Sequence, residues 1–312
     1  MAYLPIEIIK VIRPIHWVKN LSIFAALLFN GSLLDRNLFI LSVYAFVVFS
    51  IAASATYVFN DTLDISSDKL HPIKKNRPVA SGAIRPVVAL ILAVILASTA
   101  LYSASIISSL FFVLIFVYLV MQLVYSLGLK NIPVADILII ASGFIIRVYA
   151  GALAINAHLS VWFLLCVVST ALFLASGKRR AELNFVRETK LQTRKSLTHY
   201  QRELLNSYVT MFGNASWMSW ALFTFFESPR ASLPIWLLLA EISRTTTINK
   251  LLMITIPIVI FGIMRYQKLI FEGRSEVPEK LFLTDIPLVT SVILWTLSMV
   301  FILYSGVSVS GV

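Results

Sequence analysis

Charged residues are scarce in this sequence, because Asp, Glu, Lys and Arg make up only 13% of its 312 residues. A typical soluble domain has about 25%. The deficit lies in long stretches without any charge, such as 38–60 and 86–129. A membrane-spanning helix needs roughly 20 apolar residues, so these stretches predict an all-α, polytopic membrane protein. Cysteine is also nearly absent, and the lone Cys166 excludes an internal disulfide.

The apolar runs predict one transmembrane domain over residues 1–312, built as a helical bundle with about nine spans. We expect these spans at roughly 16–34, 38–60, 86–105, 107–126, 135–155, 160–177, 204–226, 249–265 and 286–305.

Lys and Arg are distributed unevenly between the connections. Twenty-one of them lie on or border the connections on the N-terminal side, and four lie on the other side. The positive-inside rule then predicts a cytoplasmic-membrane protein with its N-terminus in the cytoplasm and its C-terminus outside. The same rule accounts for the net charge of +11, so no nucleic-acid partner is expected.

Three aspartates follow the second predicted span. If the helix continues at 100° per residue, Asp61, Asp64 and Asp68 lie at about 0°, −60° and −20° around it. Like charges at this spacing repel one another, and a hard divalent cation relieves the repulsion. Mg²⁺ commonly binds one or two carboxylates together with substrate phosphates. The sequence therefore predicts a Mg²⁺ site here; the alternative is a solvated acidic face balanced by nearby bases.

Basic residues follow the aspartates in the same connection. Lys74 and Arg77 are predicted to contact phosphates held by the metal, and Asn60, which adjoins the first aspartate, is also predicted to bind substrate. Pro78 and Gly82 favour a turn into the third span. The basic segment is a weak signal alone and a strong one beside the aspartates.

These residues carry a family resemblance. Asn60-Asp61-x-x-Asp64-x-x-x-Asp68, followed by Arg77-Pro78-x-x-Ser81-Gly82, resembles the first motif of the UbiA superfamily of intramembrane prenyltransferases. Members typically carry a second aspartate-rich motif after the sixth span, and both motifs hold Mg²⁺ around a prenyl diphosphate.

The segment after the sixth predicted span departs from that pattern. Residues 178–195 contain seven bases and two acids, a composition that disfavours a second carboxylate-bound metal. The planar guanidinium of Arg suits phosphate. We therefore predict direct substrate contacts from Lys178, Arg179, Arg180 and Glu182. The alternative is that these bases only orient the chain in the membrane.

With this basic segment, the sequence resembles one branch of the superfamily, the decaprenyl-phosphate phosphoribosyltransferases. Further matching stretches are Arg13-Pro14-x-x-Trp17-Val18-Lys19-Asn20, residues 125–130, residues 139–151 and Gly177-Lys178-Arg179-x-Ala181-Glu182-Leu183. The resemblance implies transfer of 5-phosphoribose from phosphoribosyl diphosphate to a polyprenyl phosphate. The product would be a lipid-linked precursor of cell-envelope glycans such as arabinogalactan. The resemblance is also compatible with a homotrimer.

Four further residues are assigned with alternatives left open. The resemblance places Tyr125 and Lys130 in the active site, although Tyr125 also suits an interfacial aromatic belt. Lys19 is a phosphate or headgroup contact, or else an interfacial anchor. Arg147 lies on one helix face with glycines and either supports a polar cavity or pairs with Asp136.

Two other functions remain as alternatives. A UbiA-type aromatic prenyltransferase would use a prenyl diphosphate, but it should carry an acidic second motif. A non-catalytic lipid-binding or transport protein often shows inverted repeats and broken helices at mid-membrane, and the sequence has no convincing internal repeat.

Overall fold

A computed structural model of the chain describes residues 4–189, 195–227, 248–273 and 278–304. Every regular element in these ranges is a helix, which confirms the all-α prediction. Seven helices of the described part are long and apolar enough to cross a membrane: Arg36–Leu63, Pro86–Ile107, Ser109–Leu127, Ala135–Ala154, Val161–Asn184, Leu251–Phe271 and Ile286–Tyr304. The chain is an integral membrane protein.

The α-helices are numbered here in chain order. They are α1 (Leu4–Ile12), α2 (Phe24–Phe29), α3 (Arg36–Leu63), α4 (Ile65–Leu70), α5 (Pro86–Ile107), α6 (Ser109–Leu127), α7 (Ala135–Ala154), α8 (Val161–Thr189), α9 (Lys195–Thr198), α10 (Arg202–Phe226), α11 (Ile256–Phe271), α12 (Pro278–Thr284) and α13 (Ile286–Tyr304). Four 3-10 helices accompany them: Pro14–Ile23, Lys74–Asn76, Leu129–Asn131 and Ile248–Thr255.

Two of the nine predicted spans differ in the structure. The stretch 16–34 overlaps the 3-10 helix Pro14–Ile23, which is followed directly by α2, and neither is among the seven apolar helices of the described part. The span predicted at 204–226 is present as α10 but is not among the seven apolar helices. Its Asn, Ser and Thr side chains lower its hydropathy. The predicted count of nine is therefore an approximate one, with seven of the spans matched by apolar helices of the described residues.

The chain divides into two compact units, which are described separately. Unit 1 contains Met1–Leu27, Asp35–Ala157 and Val186–Tyr200, and unit 2 contains Leu28–Leu34, His158–Phe185 and Gln201–Val312.

Small residues let the helices of unit 1 approach closely. Ala45 and Ala52 of α3 and Ala100 and Ala104 of α5 are fully buried in one apolar cluster. Close backbone approach between small side chains is the usual way in which membrane helices associate.

The connection between α3 and α5 is anchored by its own apolar residues. Val79 and Ile84 are buried in a cluster with Val58 of α3 and Ala89 of α5. Gly82 makes the turn with a φ of 81°, in the left-handed region that glycine adopts at little cost. The backbone of this connection is therefore fixed against the helices.

Unit 2 has its own core. Phe173 of α8, Val209 of α10, Leu269 of α11 and Leu288 of α13 are buried in one cluster. A Cβ on Gly177 would lie 2.7 Å from the Ile270 side chain, so the absence of a side chain at this position allows α8 to pack tightly against α11.

Candidate active site

The predicted acidic cluster lies where α3 ends. The sequence-based prediction assumed one continuous helix across the three aspartates, but α3 stops at Leu63 and α4 begins at Ile65. Asp64 lies at the break with φ −92° and ψ 9°. The expected shared face therefore holds for Asp61 and Asp68, and Asp64 turns towards different partners.

Asp61 and Asp68 converge on one guanidinium group. Nη1 of Arg77 donates to Asp61 Oδ1 at 3.1 Å and to Asp68 Oδ2 at 2.6 Å. Nη2 of Arg13 also donates to Asp61 Oδ1. Both carboxylates are almost completely buried. Charged groups are buried only when paired, and these arginines provide the pairing.

One carboxylate oxygen of Asp61 is open, meaning that it lacks a hydrogen-bond partner within the described part of the chain. Asp61 Oδ2 is buried and has no hydrogen-bond partner among the described residues. A buried carboxylate oxygen without a donor is costly, so the atom is suited to a ligand that brings positive charge or a hydrogen-bond donor.

Asp64 forms a second cluster with two other predicted site residues. Nζ of Lys130 lies 2.5 Å from Asp64 Oδ1, and Asn60 Nδ2 donates to Asp64 Oδ2 at 3.0 Å. Lys130 is on the 3-10 helix Leu129–Asn131. Long-range folding thus joins two segments that the sequence presents 66 residues apart.

Burial and neighbouring charges shift the pKa values of two groups in this connection. Burial raises the pKa of Asp68, an effect that Arg77 opposes and Asp61 reinforces. Burial, with Lys74 and Arg77 nearby, lowers the pKa of His71 to about 4. His71 is therefore neutral at pH 7, and its Nδ1 accepts the amide hydrogens of Ile73 and Lys74. His71 therefore stabilises the backbone of this connection through these two hydrogen bonds and adds no charge to it.

The carboxylates fit a metal ion that arrives with phosphate. Within the described ranges, no group of three or more His, Cys, Asp or Glu side chains is arranged to hold a metal. Asp61 and Asp68 do meet at one nitrogen atom, and Asp61 Oδ2 is open. Two carboxylates plus substrate phosphates are a common Mg²⁺ environment. Asp61 and Asp68 thus form a donor set that fits Mg²⁺, whereas Asp64 contacts Lys130 and Asn60 instead.

Arg147 lies deep in unit 1, among neutral partners. Its Nε donates to Asn20 Oδ1 at 2.7 Å and its Nη1 to the Gly143 carbonyl at 2.5 Å. Its guanidinium also lies over the Phe49 ring, 5.1 Å from the centroid. The alternative pairing with Asp136 is not formed among the described contacts, because Asp136 lies eleven residues earlier on α7, about 16 Å along the helix axis. Asp136 Oδ1 instead accepts the Tyr200 hydroxyl at 2.7 Å. Arg147 thus fastens α7 to the 3-10 helix Pro14–Ile23.

The remaining predicted residues belong to other helices. Tyr125 is half-buried in the last turn of α6, and Lys19 is half-buried in the 3-10 helix Pro14–Ile23. Lys178, Arg179, Arg180 and Glu182 belong to α8 in unit 2.

The two arginines on α8 are integrated into unit 2. Arg179 is fully buried and donates to Glu182. Arg180 is equally buried and donates to Asn184 and, at 2.6 Å, to Asn206. Their substitution is expected to affect folding as well as binding, whereas Lys178 is half-buried and is the cleaner position to test.

Sequence reasoning missed two residues near the acids. Arg13, which contacts Asp61, adopts a left-handed φ of 54° before Pro14. Tyr200 donates to Asp136 and accepts the amide hydrogen of Val134 at 2.6 Å. The Arg-Pro pair offered a weak signal for the first residue. Nothing in the sequence marks the second, because its partners are 64 and 66 residues away.

Tyr200 holds a strained turn beside Lys130. Val134 has a φ of 68°, which is a genuine outlier for a β-branched residue and costs about 1–3 kcal/mol. Tyr200→Phe should release the Val134 amide and raise its hydrogen-exchange rate in peptides covering residues 128–138. Tyr304→Phe is the matched control, since its hydroxyl also bonds backbone, at Leu28 and Leu33. Unchanged exchange in Tyr200→Phe would show that the hydroxyl does not hold the turn.

Known proteins resemble this chain over most of its length. A decaprenyl-phosphate phosphoribosyltransferase of Corynebacterium glutamicum is 33% identical over 300 residues, which cover 95% of this chain and 86% of the relative. The Mycolicibacterium smegmatis protein of the same name is 36% identical over 222 residues, or 70% of each chain.

Solved structures share the fold. A UbiA homologue from Archaeoglobus fulgidus, solved with GPP and Mg²⁺, matches 97% of this chain and 100% of that protein with a TM-score of 0.68 at 17% identity. The family model for the UbiA prenyltransferase family matches residues 21–244. The helical architecture, the acidic cluster and this match over most of the chain lead to one conclusion: the protein belongs to the UbiA prenyltransferase family.

Proposed function

We propose that this protein transfers 5-phosphoribose from 5-phosphoribosyl 1-diphosphate to a polyprenyl phosphate and releases diphosphate. The observation that carries the proposal is the 33% identity over 95% of the chain to a decaprenyl-phosphate phosphoribosyltransferase. The lipid product would supply cell-envelope glycan synthesis, including arabinogalactan. The active site would face the cytoplasm, and a homotrimer stays a prediction.

The reaction exchanges one bond at C1 of the ribose for another. The bond from C1 to the diphosphate oxygen breaks, and a bond from C1 to a phosphate oxygen of the lipid forms. That nucleophile is already anionic at pH 7, so it needs no strong general base. The substrates carry several phosphates, and the cations contacting the acids, Arg13, Arg77 and Lys130, are suited to bind and orient them.

Asp61 and Asp68 would hold Mg²⁺, with Asp64 beside them. When bound, the ion would offset charge on the departing diphosphate. The same site must keep water from the electron-poor ribose carbon, because water would compete with the lipid phosphate. A site at the end of a membrane helix suits this chemistry: the isoprenoid chain remains in lipid while its phosphate meets a soluble donor.

Substrate choice tests the proposal against aromatic prenyl transfer. Purified protein should convert phosphoribosyl diphosphate and polyprenyl phosphate in the presence of Mg²⁺, and addition of EDTA should stop the reaction. Under the same conditions, a prenyl diphosphate with an aromatic acceptor should give no product. The reverse pattern would assign the protein to aromatic prenyl transfer.

Lys178 tests the predicted phosphate contacts of α8. Lys178→Gln should raise the KM for phosphoribosyl diphosphate by about 10- to 100-fold, since loss of one charge-assisted hydrogen bond costs about 1.5–3 kcal/mol. Lys75→Gln removes an equal charge from an exposed position and should leave the KM close to the wild-type value. If both variants change the KM alike, the bases of α8 act only through the net charge or the membrane topology of the protein.

A further inference from the structure

Arg77 occupies the point that a shared cation would take. A single nitrogen, Nη1, contacts Asp61 Oδ1 at 3.1 Å and Asp68 Oδ2 at 2.6 Å. This nitrogen carries two hydrogens, so it can donate one to each carboxylate. Without a cation between them, two buried carboxylates so close together would repel. The positive charge of the guanidinium therefore offsets the repulsion between the two carboxylates, as a metal ion between them would.

The backbone of Arg77 is fixed by hydrogen bonds, whereas its side chain is partly exposed. Ser81 donates its amide hydrogen to the Arg77 carbonyl at 2.8 Å, and Ile84 donates to the Pro78 carbonyl at 3.0 Å. Val79 is buried directly after this pair. The Arg77 side chain is 23% exposed, whereas that of Asp61 is 1% exposed. Rotation of the side chain can thus open the position without moving the loop.

The other cations at the cluster do not share this geometry. Arg13 contacts Asp61, and its guanidinium also lies 5.6 Å from the centre of the Tyr57 ring. Lys130 forms its ion pair with Asp64. In the described part of the chain, Arg77 is the cation that bridges Asp61 and Asp68.

We propose that Arg77, which the sequence predicts to contact phosphate, is an exchangeable counterion for Asp61 and Asp68. It neutralises Asp61 and Asp68 until a divalent cation arrives with the donor diphosphate, then yields its place and binds a donor phosphate. The divalent ion competes successfully because it carries twice the charge and is shared with the phosphates. The released guanidinium gains a bidentate phosphate contact. The proposal rests on the proposed function for the identity of the donor.

Metal binding without substrate is the first test, with Mn²⁺ as the paramagnetic probe of a hard-oxygen site. Arg77→Gln removes the competing cation, so it should bind Mn²⁺ about tenfold more tightly than the wild type in spin-resonance titrations. Arg85→Gln is the matched control, because Arg85 follows in the same connection and is exposed. It should change Mn²⁺ affinity by less than about twofold. Equal tightening in both variants, or weaker Mn²⁺ binding in Arg77→Gln, would overturn the exchange.

Donor binding is the second test and uses the same purified variants. Arg77→Gln should bind radiolabelled phosphoribosyl diphosphate with Mg²⁺ about tenfold more weakly than the wild type. The opposite shifts of metal and donor affinity distinguish the role from a purely structural one, which would weaken both. Unchanged donor affinity would contradict the second half of the proposal.

Two arrangements keep the tests decisive. If Arg77→Gln does not purify as a monodisperse protein, Arg77→Lys takes its place: it keeps the charge, so Mn²⁺ affinity should stay near the wild-type value while donor affinity falls with loss of the planar fork. If the wild type binds Mn²⁺ but not phosphoribosyl diphosphate, the proposed function fails while the Mn²⁺ comparison still decides the counterion role.

Discussion

Asp61→Asn is expected to lower transfer activity by about 1,000-fold, the scale seen when a preorganised electrostatic contact is removed from an active site. Asp61 pairs with Arg13 and Arg77 and presents a buried open oxygen. Asparagine has nearly the same shape but no negative charge, so it can neither balance two guanidinium groups nor bind a divalent ion well. The measurement is the initial rate of label transfer to lipid at saturating substrates.

Asp35→Asn provides a matched control on the same helix. Asp35 caps the opposite end of α3, where its side chain accepts the amide hydrogens of Asn37 and Leu38 at 2.8 and 3.0 Å. Asparagine is an equally good cap, so activity should stay within about twofold of the wild type. Near-normal activity in Asp61→Asn, with the protein folded, would remove Asp61 from the site.

Gly151→Ala is expected to destabilise the folded protein by about 3 kcal/mol, at the upper end of the cost of overpacking. A Cβ at this position would lie 1.9 Å from the carbonyl oxygen of Ile23 and 2.8 Å from its carbonyl carbon. These are backbone atoms, so relief requires the 3-10 helix Pro14–Ile23 to move away from α7. The midpoint of thermal unfolding in detergent should fall by several degrees.

Gly262→Ala separates this effect from the general cost of changing a glycine. Gly262 is also within a membrane helix, but its new Cβ would meet only the Ser291 hydroxyl, at 3.3 Å, which can rotate. That variant should unfold near the wild-type temperature. A Gly151→Ala protein as stable as Gly262→Ala would contradict the close contact between Gly151 and Ile23.

The helices were largely predictable because a bilayer imposes a simple rule on composition. Seven of the predicted spans correspond to apolar helices of the described part. The prediction at 16–34 corresponds to the 3-10 helix Pro14–Ile23 and the short α2, because hydropathy does not distinguish one continuous α-helix from other apolar helical segments. The glycine face of α7 was predicted correctly, since Gly151 does allow close approach.

The site was predictable in its residue types more than in its contacts. Arg77 contacts Asp61 and Asp68, and Lys130 contacts Asp64. The motif predicted Arg77 on substrate phosphates, whereas balance of the acids by nearby bases was the alternative. The break at Asp64 was not visible, because nothing in the local sequence forbids a continuous helix there. The pairing of Arg13 with Asp61 spans 48 residues, and tertiary packing sets such a contact without leaving a periodic pattern.

The central claim is that the ribose phosphate, and not a prenyl group, moves. Two batches of phosphoribosyl diphosphate, one labelled with ³²P at the 5-phosphate and one at the terminal phosphate of the diphosphate, test it most directly. With polyprenyl phosphate and Mg²⁺, the 5-phosphate label should enter the lipid phase and the diphosphate label should remain in water. Both labels remaining in water, or both entering the lipid, would contradict the account.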